Sequence, residues 1–223
     1  NKTRYVLISM GIGGWKPMPA SEVSKKGYGD CKALTNYMRT LLTAAGIPSY
    51  YAIIYNDDSV INFDKDFPKL DGNHVILMVP TEKNDIWLEN TSQRVAFNHL
   101  SYSSHNRNVL AVNENGIQII DTPVYQPEES KEKLIGKIQI AEDGSISSEA
   151  HFEFSGGQYD SSLRLFSLKN DEMIDALKNR HYNLKIDQLA INNLKNDRDL
   201  AKINYDLNLK ANSFSKKLGN DMF

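Results

Sequence analysis

Residues 25–51, "KKGYGDCKALTNYMRTLLTAAGIPSYY", hold the only cysteine of the chain, Cys31, directly after Gly29 and Asp30 and at the head of a helical pattern. Leu34, Tyr37, Met38, Leu41, Leu42 and Ala45 recur at the spacing of a core-facing helix stripe. Asp30 is a favourable N-cap, because its carboxylate can accept from the unpaired N–H groups of a first turn. Gly46 supplies the left-handed residue that closes a helix, and Pro48 forbids continuation. The pattern predicts a buried helix from Cys31 to about Ala45 whose first turn carries the thiol.

Outward from this helix the periodicity changes to two. "SYYAIIY" (49–55), "HVILMVP" (74–80) and "DIWLEN" (85–90) are rich in β-branched and aromatic residues and read as strands. The polar segment "NDDSVINFDKDFPKLDGN" (56–73) reads as a long surface loop of the kind that borders a cleft. A hairpin is expected in "NVLAVNENGIQII" (108–120), turning at Asn115-Gly116. Two prolines and the charge run from Glu128 to Lys133 then mark a linker. Residues 1–125 and 126–223 are therefore expected as two domains. In the second, Asp143-Gly144 marks a turn and Ile203, Tyr205, Leu207 and Leu209 alternate with polar neighbours, which predicts a half-buried antiparallel sheet. One short helix, Asn170 to Asn179, interrupts it.

Composition narrows the function classes. The 223 residues are 40% hydrophobic, enough for a packed core, and the net charge of -2 gives no electrostatic reason to expect nucleic acid as a partner. One cysteine cannot form an internal disulfide. No run of about 18 apolar residues occurs, so no transmembrane segment is expected in this chain. The chain opens on Asn1 without a charged-then-apolar leader and stops at Phe223 without a tail, so the expectation is a piece of a longer protein.

A lone cysteine is by default a small core hydrophobe. At a helix N-terminus, however, the free N–H groups and the dipole favour the thiolate, which is the nucleophilic form. Such a site needs a base, and a third group to hold that base in one orientation. Of the five histidines, His99, His105 and His181 lie in polar stretches and read as solvated, and His151 belongs to the second domain. His74 opens a buried strand. If that strand pairs antiparallel with 85–90, any register whose paired numbers sum to an odd value puts His74 and Glu89 on one face, and a sum of 163 would set them directly opposite. Asn90 would point the other way. The plainer reading of Glu89 is an ordinary strand-end carboxylate.

"GYGDCKALTNYMRTLLTAAGI", "GNHVILMVP" and "IWLENT" resemble, in order and spacing, the three successive motifs of the transglutaminase-like superfamily: Gly-Asp-Cys at a helix start, His at a strand start, and an acid in a Trp-containing strand. The resemblance covers about residues 1–125. "TRYVLISMGIGGWKPMPASEV" (3–23) resembles the segment leading into the nucleophile in bacterial members with flanking domains of unknown function. What the resemblance implies is an α+β, papain-like core with Cys31 as nucleophile, His74 as base and acid, and Glu89 as the residue that orients His74. The family commonly has Asp-Pro where this chain has Glu89-Asn90, and Asn90 is the fallback for the third role. The resemblance also implies a periplasmic or cell-envelope location in a Gram-negative bacterium.

An oxyanion intermediate needs donors where charge develops. The Cys31 N–H is one candidate, and Trp15 and Tyr28 are candidates for a second donor or for substrate contact. Metal catalysis is not expected, because the histidines lack zinc-ligand spacing and one cysteine cannot build a cluster. "DKDFPKLDG" (64–72) has Phe67-Pro68 where a calcium loop needs ligands and glycine, and "GIGGWK" (11–16) lacks the spacing of a phosphate loop. No cofactor is therefore expected. The leading expectation is cysteine-dependent acyl transfer on a protein or peptide substrate through a thioester, with hydrolysis favoured over cross-linking. The alternative is an inactive transglutaminase-like binding or assembly module of the envelope. In either case the C-terminal β domain is available for partner docking.

Overall fold

The computed structural model describes residues 3–8, 11–67, 69, 71–180, 184–212, 214–215, 217–218 and 221–222. It is a mixed α/β structure whose main sheets are antiparallel, and the chain divides into two compact units, Asn1–Tyr125 and Gln126–Phe223. Among the described residues no helix is long and apolar enough to cross a membrane.

The first unit begins with β1 (Arg4–Tyr5), a 3₁₀ turn (Gly11–Gly14), α1 (Ala20–Lys26), β2 (Tyr28–Gly29) and α2 (Cys31–Ala44). It continues through β3 (Tyr50–Ile54), β4 (His74–Val79), β5 (Ile86–Leu88), β6 (Asn108–Asn113) and β7 (Gly116–Asp121). Strands β3 to β7 form one antiparallel sheet in the order β5-β4-β3-β6-β7. One face of it packs Ala52, Ile54, Ile76, Met78, Trp87, Val109 and Ala111 with Leu100 from the segment after β5. Val75 and Leu77, on the alternate positions of β4, are also buried, so both faces of that strand are covered. The turn of the β6–β7 hairpin lies one residue earlier than expected, at Glu114-Asn115, because Gly116 already pairs with Asn113.

Helix α2 ends as its sequence dictates. Gly46 takes φ +73°, its N–H donates to Thr43 O at 3.0 Å, and Ile47 N–H donates to Leu42 O at 2.9 Å, which together make a Schellman closure. The expected apolar stripe is only half buried. Leu34 is covered, whereas Met38 and Leu41 are 36% and 47% exposed, because α2 contacts the sheet and α1 mainly through its first half. Helix α1, absent from the sequence expectations, packs Val23 against Ala33 and Leu34.

The second unit is a four-stranded antiparallel sheet in the order β10-β11-β9-β8, from β8 (Glu132–Ile140), β9 (Ile146–Ser155), β10 (Ile186–Asp197) and β11 (Lys202–Ala211). It carries α3 (Gly157–Leu163) as well as α4 (Asn170–Arg180), two helices where the sequence suggested one. Phe152, Phe154 and Tyr205 stack at centroid distances of 5.0–6.1 Å, and the alternating residues of β11 are buried as their pattern requires.

Candidate active site

Cys31 is placed by the cap of α2. The Asp30 carboxylate, buried, accepts from Ala33 N–H at 2.9 Å and pairs with Lys32, so the first turn is held at its N-terminus. Gly29 has no room for a side chain. A Cβ there would lie 2.8 Å from Ala33 Cβ and 3.5 Å from Val23, which lets α1 and the first turn of α2 close on one another. Strand β1 runs parallel to β2, with Val6 N–H donating to Gly29 O at 2.9 Å, and this brings Tyr5 alongside the residues leading into Cys31.

His74 opens β4. Just before it, Gly72 crosses β3 so closely that a Cβ would come 2.2 Å from Ile53 Cγ2. Asn73 then exchanges two hydrogen bonds with the backbone of Asn56, at 2.7 and 3.0 Å, pinning the mouth of the 56–73 loop. Thr35, one turn into α2, donates to Val75 O at 3.2 Å and so ties the cysteine helix to the residue after His74. The outer part of the loop is anchored by two buried side chains. Arg107 donates to Tyr55 O at 2.7 Å, and Asn108 exchanges hydrogen bonds with the backbone of Phe63 at 2.7 and 3.0 Å.

The strand pairing brings Glu89 to His74. Leu77 pairs with Leu88 and Met78 with Trp87, a register summing to 165, so Glu89 shares a side with His74 but falls across from Ile76. The carboxylate therefore reaches along the diagonal, and the extra methylene of glutamate spans the offset. Glu89 Oε2 lies 2.8 Å from His74 Nε2, while Oε1 accepts from Thr91 N–H at 2.8 Å and from Thr91 Oγ1 at 2.6 Å. With Nε2 engaged, Nδ1 is the ring nitrogen left for the Cys31 thiol, which lines the same cleft and acts electrostatically on the ring. Asn90 instead donates to Thr35 Oγ1 and to Leu88 O, both at 3.2 Å.

The electrostatics follow from this packing. Burial disfavours the charged imidazole, yet the hydrogen bonds and charges of Cys31 and Glu89 outweigh it and hold His74 at about 9. Glu89 moves the opposite way: burial raises it, but His74 and Thr91 bring it below the ordinary carboxylate value. Tyr51 on β3 is pushed up by burial and by the charges of Cys31 and Asp30, and Tyr5 rises for the same reasons, so both phenols remain proton donors beside the sulfur. Neither tyrosine was among the sequence candidates. Tyr51 alternates with Ile53 in a strand whose other positions form the core, and that alternation was the available signal.

Cys31 and His74 line one cleft of about 590 Å³. Trp15, 74% exposed, lies on its wall. Tyr28 pairs with Arg4 in the β1–β2 ribbon and is not among the lining residues. The remaining histidines are elsewhere. His99, expected to be solvated, is buried and stacked on Tyr125 at 5.4 Å, because a tyrosine far along the chain returns to cover it. His105 is half-buried against the same ring, His151 pairs with Asp206 in the second unit, and His181 lies outside the described residues. Among the described residues no group of three or more His, Cys, Asp or Glu side chains is gathered to hold a metal ion. Compared with known protein families, with curated proteins and with solved structures, the chain matches none.

Proposed function

We propose that the first unit is a papain-like, transglutaminase-like core that performs cysteine-dependent acyl transfer on amide or peptide bonds. The observation that carries this reading is that Cys31, at the head of α2, and His74, at the start of β4, line one cleft, with His74 held by Glu89 at 2.8 Å. With the proton held on His74, Cys31 attacks the substrate carbonyl as thiolate. His74 protonates the departing amine, leaving a thioester, and then takes a proton from the acceptor that resolves it. Glu89 fixes the ring orientation and stabilises the imidazolium between these steps. Water as acceptor makes the reaction a hydrolysis, which we favour; an amine makes it a cross-link. The Cys31 N–H at the head of α2 is the first oxyanion donor, and the Tyr5 or Tyr51 hydroxyl stands nearby for a second. A periplasmic or envelope location belongs to the same proposal. The test is an activated acyl ester followed by mass spectrometry of the intact protein: an adduct on Cys31 that disappears in His74→Ala supports the reading, and acylation unaffected by either residue sinks it.

A second reading, a binding or assembly module, is favoured by β8. This edge strand leaves Leu134, Ile135, Ile138 and Ile140 all more than half exposed, a surface suited to an added strand from a partner protein. Under it, the acyl-ester experiment leaves Cys31 unmodified while removal of 126–223 abolishes partner binding.

A further inference from the structure

The cleft that holds Cys31 is lopsided in charge. Although the chain has 28 acidic against 26 basic residues, the described residues lining this cleft include Lys32 and Arg39 and no carboxylate. Lys32 is already paired with the buried Asp30. Arg39 is not: among the described residues it makes no ion pair, and it lines the same cleft from two turns further along α2, half-buried. Lys32, Asn36 and Arg39 stand at i, i+4 and i+7, one stripe of α2 that runs away from the sulfur. At about 1.5 Å of rise per residue, Arg39 is roughly 12 Å from Cys31 along the helix. An extended peptide covers that distance in about three or four residues. The wall of the cleft also includes the apolar side chains of Trp15, Ile53 and Val112.

We infer that the cleft selects peptides carrying an apolar side chain beside the reacting carbonyl and a carboxylate about three or four residues away, received by Arg39 with Asn36 beside it. A guanidinium binds a carboxylate through two parallel N–H donors, so Arg39 is a specificity residue and not a general attractor of charge. The inference rests on the acyl-transfer reading and deepens it to a substrate class. The carboxylate has two possible sources, an Asp or Glu side chain or the free end of a short peptide, and both present the same planar anion.

The experiment uses the full chain as Cys31→Ser, which binds without turnover, and N-acetylated hexapeptide amides with one Phe and a single Glu moved through every other position. Each is paired with its Gln counterpart, and the all-neutral peptide is also made with a free C-terminal carboxylate. Affinity is read from the quenching of tryptophan fluorescence. The expected result is a preference of roughly three- to tenfold for Glu over Gln three or four residues from Phe, as for one partly exposed charged contact. It shrinks with added salt, is weakened by Arg39→Lys, which keeps the charge but not the two-donor fork, and is lost in Arg39→Gln, while Lys25→Gln, a change on α1 outside the cleft, leaves it in place. A preference confined to the free carboxylate assigns the chain terminus as the source. Equal affinity for every Glu and Gln pair with no terminal effect, a preference that survives Arg39→Gln, or no binding by any peptide overturns the inference. Failure of the enzyme reading is seen separately, in the wild-type chain: a Cys31 that accepts an acyl group but shows no charge preference sinks only the specificity, and a charge preference without acylation sinks only the chemistry.

Discussion

Thr35 Oγ1 donates to the carbonyl oxygen of Val75 across 3.2 Å and accepts from Asn90 Nδ2 across 3.2 Å, so one fully buried hydroxyl joins the cysteine helix to β4 and to the segment that follows β5. Thr35→Val keeps the shape and removes both contacts. The expected cost is about 1–2 kcal/mol, because a half-buried amide keeps only its bond to Leu88 O and the Val75 carbonyl loses a donor. Urea unfolding measures it, and Thr35→Ser should recover most of the loss.

Substitutions in the site should follow a defined order in the rate of Cys31 acylation. Cys31→Ala leaves nothing to acylate. His74→Ala removes base and acid together and should cost on the order of 10²–10⁴-fold. Glu89→Asp should be severe as well, since the shorter side chain no longer spans the diagonal offset to Nε2. Glu89→Gln should be milder: its amide oxygen can still accept from the imidazole, but its NH₂ then faces the Thr91 N–H that Oε1 now accepts. Asn90→Ala should lower stability more than rate, because its bonds go to Thr35 and Leu88. A rate defect for Asn90→Ala larger than that of Glu89→Asp would reassign the orienting role.

The His74–Glu89 pair also predicts how stability varies with pH. His74 sits at about 9 when folded against about 6.5 for a free imidazole, so its contribution is fully present below pH 6.5 and is lost as pH rises through 9. Glu89 is lowered on folding, so its contribution is present above the ordinary glutamate value of 4.5 and is lost as pH falls through its folded value. The two windows overlap between about pH 4.5 and 6.5. Unfolding free energy should therefore decline between pH 6.5 and 9 by on the order of 2–3 kcal/mol, and His74→Gln should flatten that slope.

Two glycines are sterically committed. Gly29→Ala drives a methyl to 2.8 Å from Ala33 Cβ, and Gly72→Ala drives one to 2.2 Å from Ile53 Cγ2 with Ile54 O at 3.2 Å. Each should destabilise by about 1–3 kcal/mol, with Gly72 the worse. Thermal melting ranks them.

Local signals carried the legible part of the fold. Asp30, Gly46 and Pro48 bracket α2, and the β-branched runs mark β3, β4 and β6, because caps and two-residue alternation act within a few positions. Strand β10 escaped notice because Ile186, Leu189, Ile191 and Leu194 are spaced irregularly. Register shifts between 186 and 188 and between 192 and 195 break the alternation that would have announced it. Helix α1 is hidden by its Ser/Lys-rich composition and starts behind a proline rather than a hydrogen-bonding cap. Strand parity puts His74 and Glu89 on one side, but the exact register depends on the turn geometry between Pro80 and Asp85. His99 depends on a contact from a distant segment, Tyr125, which no local window contains.

The residues proposed to activate the sulfur arrive late along the chain. Cys31 precedes His74 by about forty positions, and Glu89 comes later still. During synthesis the thiol therefore emerges well before its partners and behaves as an ordinary cysteine. Only when the β4–β5 hairpin closes and Thr35 docks on β4 does a base stand beside it. On the acyl-transfer proposal, folding of this unit is thus its own safety catch: until the hairpin closes, the thiol has no base beside it with which to attack the chain or its neighbours.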